Sequence, residues 1–358
     1  MSVRPAILVL VASSTAVFIA TPFLLRPIAT EFEVSLGVVG WVSTAQLAGF
    51  VLASWLAGRL LRPIRPIFVA ICLIGLTANM LSAFAPNLAS LAGTRLLSGV
   101  SLGLAAWFAW QDAFGDSEKT GDVAVTGPLV GVVLAPAIAA LLDIGGIQVV
   151  FFVLAAVAAA PLLFVGQVPT RDRLRPHRTR HAATRAARAI LLALSLITMA
   201  GSSVFVYAAA IGTGFNDLSP FVVSLVFSAN ALVSIPAAKW SGPRGPAGLW
   251  FCGTAVLSFV VPAVHVPIVF ITALVTWGFV FFMGIPAAFG LLASRSRFPE
   301  ERAGDAQAVM ALGRVAGPLI GGAFIGSGAT TKMGLAASVI MLSAAMLLLY
   351  VERDRFSQ

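Results

Sequence analysis

Charge is scarce in this 358-residue chain: only 10% of its residues are Asp, Glu, Lys or Arg, against about 25% in soluble domains. Apolar residues reach 59%, so there is not enough polar side chain to coat a water-soluble surface. Histidine and cysteine are nearly absent, at three and two. Cys72 and Cys252 lie inside apolar runs and read as small buried hydrophobes. His177 and His181 have helical i, i+4 spacing, but Arg178 and Arg180 beside them would repel a cation, so neither metal nor cofactor is expected. No Ser/His, His/Glu or paired-acid constellation falls within an apolar run, which argues against an enzyme. The alternating ten-residue segments of a membrane barrel are missing as well.

Long apolar runs are abundant. About 20 apolar residues cross a bilayer core of roughly 30 Å, and such runs recur along the whole chain, predicting an all-α polytopic membrane protein of about twelve spans. The first six lie near Pro5 to Ile28, Gly37 to Ala57, Ile67 to Phe84, Leu88 to Trp110, Gly121 to Leu142 and Ile147 to Val165. The second six lie near Ala189 to Ile211, Pro220 to Ala238, Ala247 to Val264, Pro267 to Ala293, Gly304 to Ile325 and Met333 to Tyr350. The first run is too long for a signal-peptide core and is expected to be a retained span.

The formal charge of +9 follows membrane topology rather than nucleic acid. Arg59, Arg62, Arg65, Lys119, Lys239, Arg244, Arg295, Arg297 and Arg302 fall in alternate connections, and seven arginines crowd the stretch between Arg171 and Arg188. With basic connections inside, both termini face the cytoplasm, and the cytoplasmic membrane is the expected location. Residues 167–188 read as a basic cytoplasmic linker between halves 1–166 and 189–358.

The halves repeat one another. Glu118-Lys119-Thr120-Gly121-Asp122 recurs as Glu301-Arg302-Ala303-Gly304-Asp305 at an offset of 183. The stretch from Gly131 to Ala140 matches Gly313 to Gly322 at an offset of 182, with proline at 136 and 318 in the same slot. A parallel duplication of six-helix halves puts a cavity between them, exposed alternately to each side.

Three local patterns resemble the major facilitator superfamily, and the resemblance covers nearly the whole chain. Thr94-Arg95-Leu96-Leu97-Ser98-Gly99 with Gly103 is similar to the family's arginine followed by glycines at four-residue spacing. Gly313 to Gly322 resembles the glycine and proline pattern associated with proton-coupled antiporters, although the family carries it in helix 5, where this chain has the eroded Gly131 to Ala140. Gly58-Arg59-Leu60-Leu61-Arg62-Pro63-Ile64-Arg65 resembles the inner loop after helix 2, with Arg62 where the family has an acid that closes the cytoplasmic gate. The resemblance implies a secondary transporter working by alternating access, with Arg95 taking part in proton handling or binding.

Ionisable groups inside a bilayer are functional candidates by default. Arg95 and Arg314 are the clearest; with no carboxylate in any span centre, they favour an anionic or zwitterionic substrate. Gln46, Tyr207, Asn230 and Trp277 complete the substrate-binding candidates, and Ser14, Thr15, Ser98 and Trp107 are further polar or aromatic groups of cavity-lining helices. Gly58, Arg62, Asp122, Asp305, Gly317 and Pro318 are the gating candidates; Arg62 either meets Asp305 or Glu301 in a reversed ion pair or these are solvated loop charges. Proton-coupled efflux of a small organic solute is the leading expectation. An organic-anion carrier and a transport-dead sensor or scaffold are the alternatives. Membrane lipids and protons are the other expected partners.

Overall fold

The computed structural model describes residues 4–113, 117–170 and 181–353. Among the described residues there are helices and turns but no strand. The helices are α1 (Pro5–Glu31), α2 (Leu36–Leu60), α3 (Arg65–Ala83), α4 (Leu88–Ala113), α5 (Ser117–Ala159), a 3-10 segment (Ala160–Gln167), α6 (Arg185–Phe205), α7 (Ala208–Phe215), α8 (Pro220–Ala238), α9 (Ala247–Ala263), α10 (Pro267–Ser294), α11 (Pro299–Ile325) and α12 (Thr330–Arg353).

Local chemistry sets many of the starts. Proline opens α1, α8 and α10, where the missing N–H costs nothing because the first turn has no acceptor for it. Ser35 and Ser219 cap α2 and α8 in the same way, each accepting from the N–H three residues on.

Ten helical stretches are long and apolar enough to span a bilayer. One of them, α5 with the 3-10 segment, is two spans joined at a sharp bend, and the shorter apolar α9 brings the number to twelve. The bend lies at Gly145 and Gly146, and Gly146 has φ of +65°, a left-handed conformation that a Cβ would disfavour. It falls in the gap expected between Leu142 and Ile147.

Two departures from the expected spans matter. The helix predicted to run unbroken from Ala189 to Ile211 is instead α6 and α7, interrupted at Val206 and Tyr207, where the Tyr207 N–H tightens onto the Val204 carbonyl. Helix α11 extends ahead of the expected span to Pro299, its spanning part being Gly304–Ile325 as expected, and Arg314 is the sixteenth of its 27 residues.

The chain divides into two compact units, Met1–Arg175 and Pro176–Gln358. In the first, α2 packs along α4, while α1 and α3 pack on α5. Its core gathers Leu10, Phe68, Trp107 and Phe108, the two phenylalanine rings meeting edge to face at 5.5 Å. In the second, α6 packs along α11 and α12, α9 along α12 and α10, and α10 along α8. Ile190, Leu194, Phe251, Leu291, Met341 and Leu348 fill that core.

Between spans in lipid the hydrophobic effect offers little, so close backbone approach and interhelical hydrogen bonds carry the packing. Glycine is placed accordingly. A Cβ on Gly99 would overlap the Gln46 carbonyl, and one on Gly103 the Phe50 carbonyl. In α11, a Cβ on Gly313 would strike the Ser195 carbonyl of α6, and one on Gly321 the Ser203 carbonyl.

Candidate functional site

Arg95 sits in α4 at 2% exposure. The close α2–α4 contact brings Gln46 to it: the guanidinium donates from Nε (3.0 Å) and Nη2 (2.7 Å) to Gln46 Oε1. Nη1 donates to Asn79 Oδ1 of α3 at 2.7 Å, and Asn79 Nδ2 is itself fixed on the Gly75 carbonyl at 2.8 Å. The Phe151 ring faces the guanidinium at 5.3 Å. This buried cation is therefore held by neutral amide oxygens and an aromatic face. Sequence reasoning named Arg95 and Gln46 but missed Asn79, a primary amide in the interior of a span that the cost of burying polar groups should have flagged.

Below this clasp a narrow cavity, with room for about one water, lies within the first unit. Ser13, Ser14, Asn79, Ser98 and Ser101 supply its polar lining. Ser13 and Ser14 both donate to the Leu10 carbonyl, and Ser101 donates across to the Ile71 carbonyl of α3 at 2.8 Å. Their hydroxyls thus turn lone pairs, not protons, toward the space.

In the second unit Asn230 occupies a matching place. Gly278 approaches the Asn230 carbonyl as Gly99 approaches that of Gln46. One turn earlier stands Leu274 where α4 has Arg95, and Asn230 Nδ2 donates to the Leu274 carbonyl at 2.6 Å. Trp277 is 4% exposed and meets the Phe205 ring edge-on at 6.5 Å.

Tyr207 is fully buried, and its hydroxyl donates to the Pro318 carbonyl at 2.8 Å. It is the last member of a ladder: Thr198 donates to the Met310 carbonyl (2.8 Å) and Ser202 to that of Arg314 (3.4 Å). The three acceptors are spaced four residues apart. Pro318 has no N–H to offer Arg314, so Ser202 serves a carbonyl that the proline frees. Gly317 allows the approach, since a Cβ there would overlap the Ser202 hydroxyl.

Arg314 differs from Arg95 in every respect but charge. It is half-buried near the middle of α11. At 3.6 residues per turn it lies about 200° around the helix from Leu312, which is 56% exposed. It shares a side instead with the buried Met310, Pro318 and Gly321. Its guanidinium makes no hydrogen bond or ion pair among the described residues.

Asp305 is bound by Arg302 of its own helix at 2.8 Å, and Arg302 also donates to the His181 carbonyl at 2.6 Å. Arg62 is exposed, with no side-chain hydrogen bond or ion pair among the described residues. The side chains of Asp122 and Glu301 lie outside the described residues. A Cβ on Gly58 would reach only ordinary contact with the Trp107 indole at 3.9 Å; that indole N–H is buried without a partner among the described residues.

In the loop between α8 and α9, Arg244 is held in place by its neighbours. Its guanidinium donates to the carbonyls of Ala237, Ala238, Trp240 and Phe282, at 2.7 to 3.2 Å. The Phe282 carbonyl is free because Pro286 lacks the N–H four residues on. Burial lowers the Arg244 guanidinium from its ordinary value, though arginine remains a cation in proteins. Among the described residues no three His, Cys, Asp or Glu side chains gather as metal ligands.

Comparison with known proteins gives a family and a fold. The sequence pattern of a family described as the Major Facilitator Superfamily matches residues 6–321. No curated protein matches the chain. Among solved structures, a bacterial homologue of the human lysosomal transporter Spinster, inward-facing and occupied, superposes with a TM-score of 0.76 at 15% identity, covering 97% of this chain and 96% of that one. The unoccupied inward-facing form of that homologue gives 0.73 over the same shares at 15% identity. The human organic anion transporter MFSD10 (TETRAN) gives 0.68 at 16% identity, over 96% of this chain and 97% of that one. At such identities the likeness establishes the fold alone.

Proposed function

Because the chain belongs to the Major Facilitator Superfamily, and is thus a multi-pass membrane transporter of small molecules, we propose that it carries a small organic anion by alternating access, with Arg314 as the group that recognises the anion. The observation behind this reading is the unspent guanidinium near the middle of α11, on the side opposite the exposed Leu312. A planar guanidinium binds a carboxylate or phosphate through two parallel N–H donors. Midway through a span is also where transporters of this kind hold their substrates. Arg95 is a poor rival for the role because Gln46 and Asn79 already occupy its donors. That a structural neighbour is an organic anion transporter accords with the reading.

The basic connections place Arg59, Arg62, Arg244, Arg295 and Arg302 on the cytoplasmic side, with both termini there and residues 167–188 as the linker of the two halves. Proton-coupled efflux is the second reading, favoured by the glycine and proline run Gly313 to Gly322, whose contacts with α6 make one close-packed pair. A test is to seal the purified protein in vesicles with an internal pH dye and present organic anions and lipophilic cations in turn. The first reading requires saturable movement of an anion; proton flux triggered by cations alone would replace it with the second.

A further inference from the structure

The inner loop that departs from the family pattern leaves two arginines without a side-chain hydrogen bond or ion pair among the described residues, in a setting that suits a lipid headgroup. Along the last turns of α2, Leu52, Trp55, Leu56, Arg59 and Leu60 follow i, i+3, i+4, i+7, i+8 spacing and so form one helix face. All are exposed: Leu52 by 56%, Trp55 by 48%, Leu56 by 42% and Leu60 by 73%. On a membrane protein such a face meets lipid chains. Arg59 lies over the Trp55 ring at 3.7 Å, which fixes its charge at the end of the apolar stripe while leaving its N–H donors open.

The loop beyond is pinned in place rather than loose. Arg65 donates from Nε to the Val168 carbonyl (3.1 Å) and from Nη2 to the Gly166 carbonyl (3.2 Å), and its backbone N–H donates to the Pro169 carbonyl. Pro63 and Pro66 restrict the backbone on either side, and the Ile64 N–H closes onto the Arg62 carbonyl at 2.9 Å. Arg65 is therefore spent, whereas Arg62 stands exposed three residues beyond Arg59. Arg244, in the loop before α9, shows what a structural loop arginine looks like, with its donors spread over four carbonyls.

We propose that Arg59 and Arg62 form a binding site for the phosphate of an anionic glycerophospholipid, whose chains lie along the Leu52–Leu56 face with Trp55 at the headgroup level. The fit is one of charge and depth together. Two cations sit where the apolar stripe ends, at the level of the headgroups, and tryptophan is enriched at that interface. A soluble anion would use the cations but not the stripe.

The test uses the purified full chain in a neutral detergent, titrated with short-chain phosphatidylglycerol, phosphatidylcholine and inorganic phosphate, with bound lipid counted by native mass spectrometry and the unfolding midpoint followed by fluorescence. Phosphatidylglycerol should bind saturably and raise the midpoint. Binding should weaken about fivefold in Arg62→Gln and by a further similar factor when Arg59→Gln is added. Arg62→Lys should stay within about twofold of the parent, since it keeps the charge. Unchanged affinity in the double variant, an equal response to phosphatidylcholine, or full competition by inorganic phosphate would each overturn the proposal. The readout is lipid binding rather than transport, so it stands or falls independently of the anion-carrier reading.

Discussion

The two six-helix units share a repeat but place their closest contacts on different helix pairs. In the first unit the tight pair is α2 with α4, where Gly49, Gly99 and Gly103 meet backbone. In the second it is α6 with α11, where Gly313, Gly317 and Gly321 meet α6 and three hydroxyls bridge to α11 carbonyls. The pair in the first unit that corresponds to α6 with α11 is looser. There Ala135 and Ala139 stand where α11 has Gly317 and Gly321, and a Cβ on Gly127 would meet the Thr15 side chain no closer than 3.8 Å. The two units thus share the path of the chain but differ in which helices pack most closely. The repeat does not carry the arginines over: Leu274 stands in the second unit where the first has the amide-bound Arg95.

The largest expected effect comes from filling a glycine contact. Gly99→Val and Gly317→Val should each destabilise the protein by about 3 kcal/mol or more, because helix backbone must move, whereas Gly127→Ala should cost under about 1 kcal/mol. Thermal and denaturant unfolding in a fixed detergent would show it. If Gly127→Ala proved as costly as Gly317→Val, the assignment of tight and loose pairs would be wrong.

Next comes the clasp. Arg95→Met leaves Gln46 Oε1 and Asn79 Oδ1 without their donors and should cost about 2 to 3 kcal/mol, while Asn230→Leu, which removes a single bond to a carbonyl, should cost about 1 kcal/mol. Equal losses would mean that the arginine clasp adds nothing beyond the single amide bond at the matching place in the second unit. The smaller contrast is at the loops. Arg244→Ala should lower stability by about 1.5 to 3 kcal/mol through the charge-assisted bonds it gives up, and Arg62→Ala should stay within about 0.5 kcal/mol in neutral detergent.

Much of this architecture was legible from apolar length and punctuation. Helix α8 begins at Pro220 and ends at Ala238 as read, because Ser219 caps one end and Lys239 with Gly242 and Pro243 closes the other. The bend at Gly145 and Gly146 was legible from paired glycines. The interruption at Tyr207 was not, since neither proline nor glycine marks it; its hydroxyl is drawn to the carbonyl of Pro318, 111 residues away. The span Gly304–Ile325 was read as it stands, and the helix carries on ahead of it to Pro299, where a proline followed by acids is a helix-start signal. At the site, Arg95 and Gln46 were found by the cost of burying them, but their pairing, and the part played by Asn79, depend on three helices meeting. The ion pair that Asp305 makes with Arg302, one turn away on the same helix, was not read from the sequence, although i, i+3 spacing puts the two on one helix face.

The central claim is that Arg314 recognises an anion, and counterflow in sealed vesicles tests it most directly. Vesicles preloaded with an organic anion that the parent protein carries would be assayed with the parent, Arg314→Gln and Arg314→Lys at matched folded protein. The account predicts saturable anion exchange in the parent, partial exchange with a raised KM in Arg314→Lys, and a loss of about tenfold or more in Arg314→Gln with the unfolding midpoint little changed. Undiminished exchange in Arg314→Gln would contradict it.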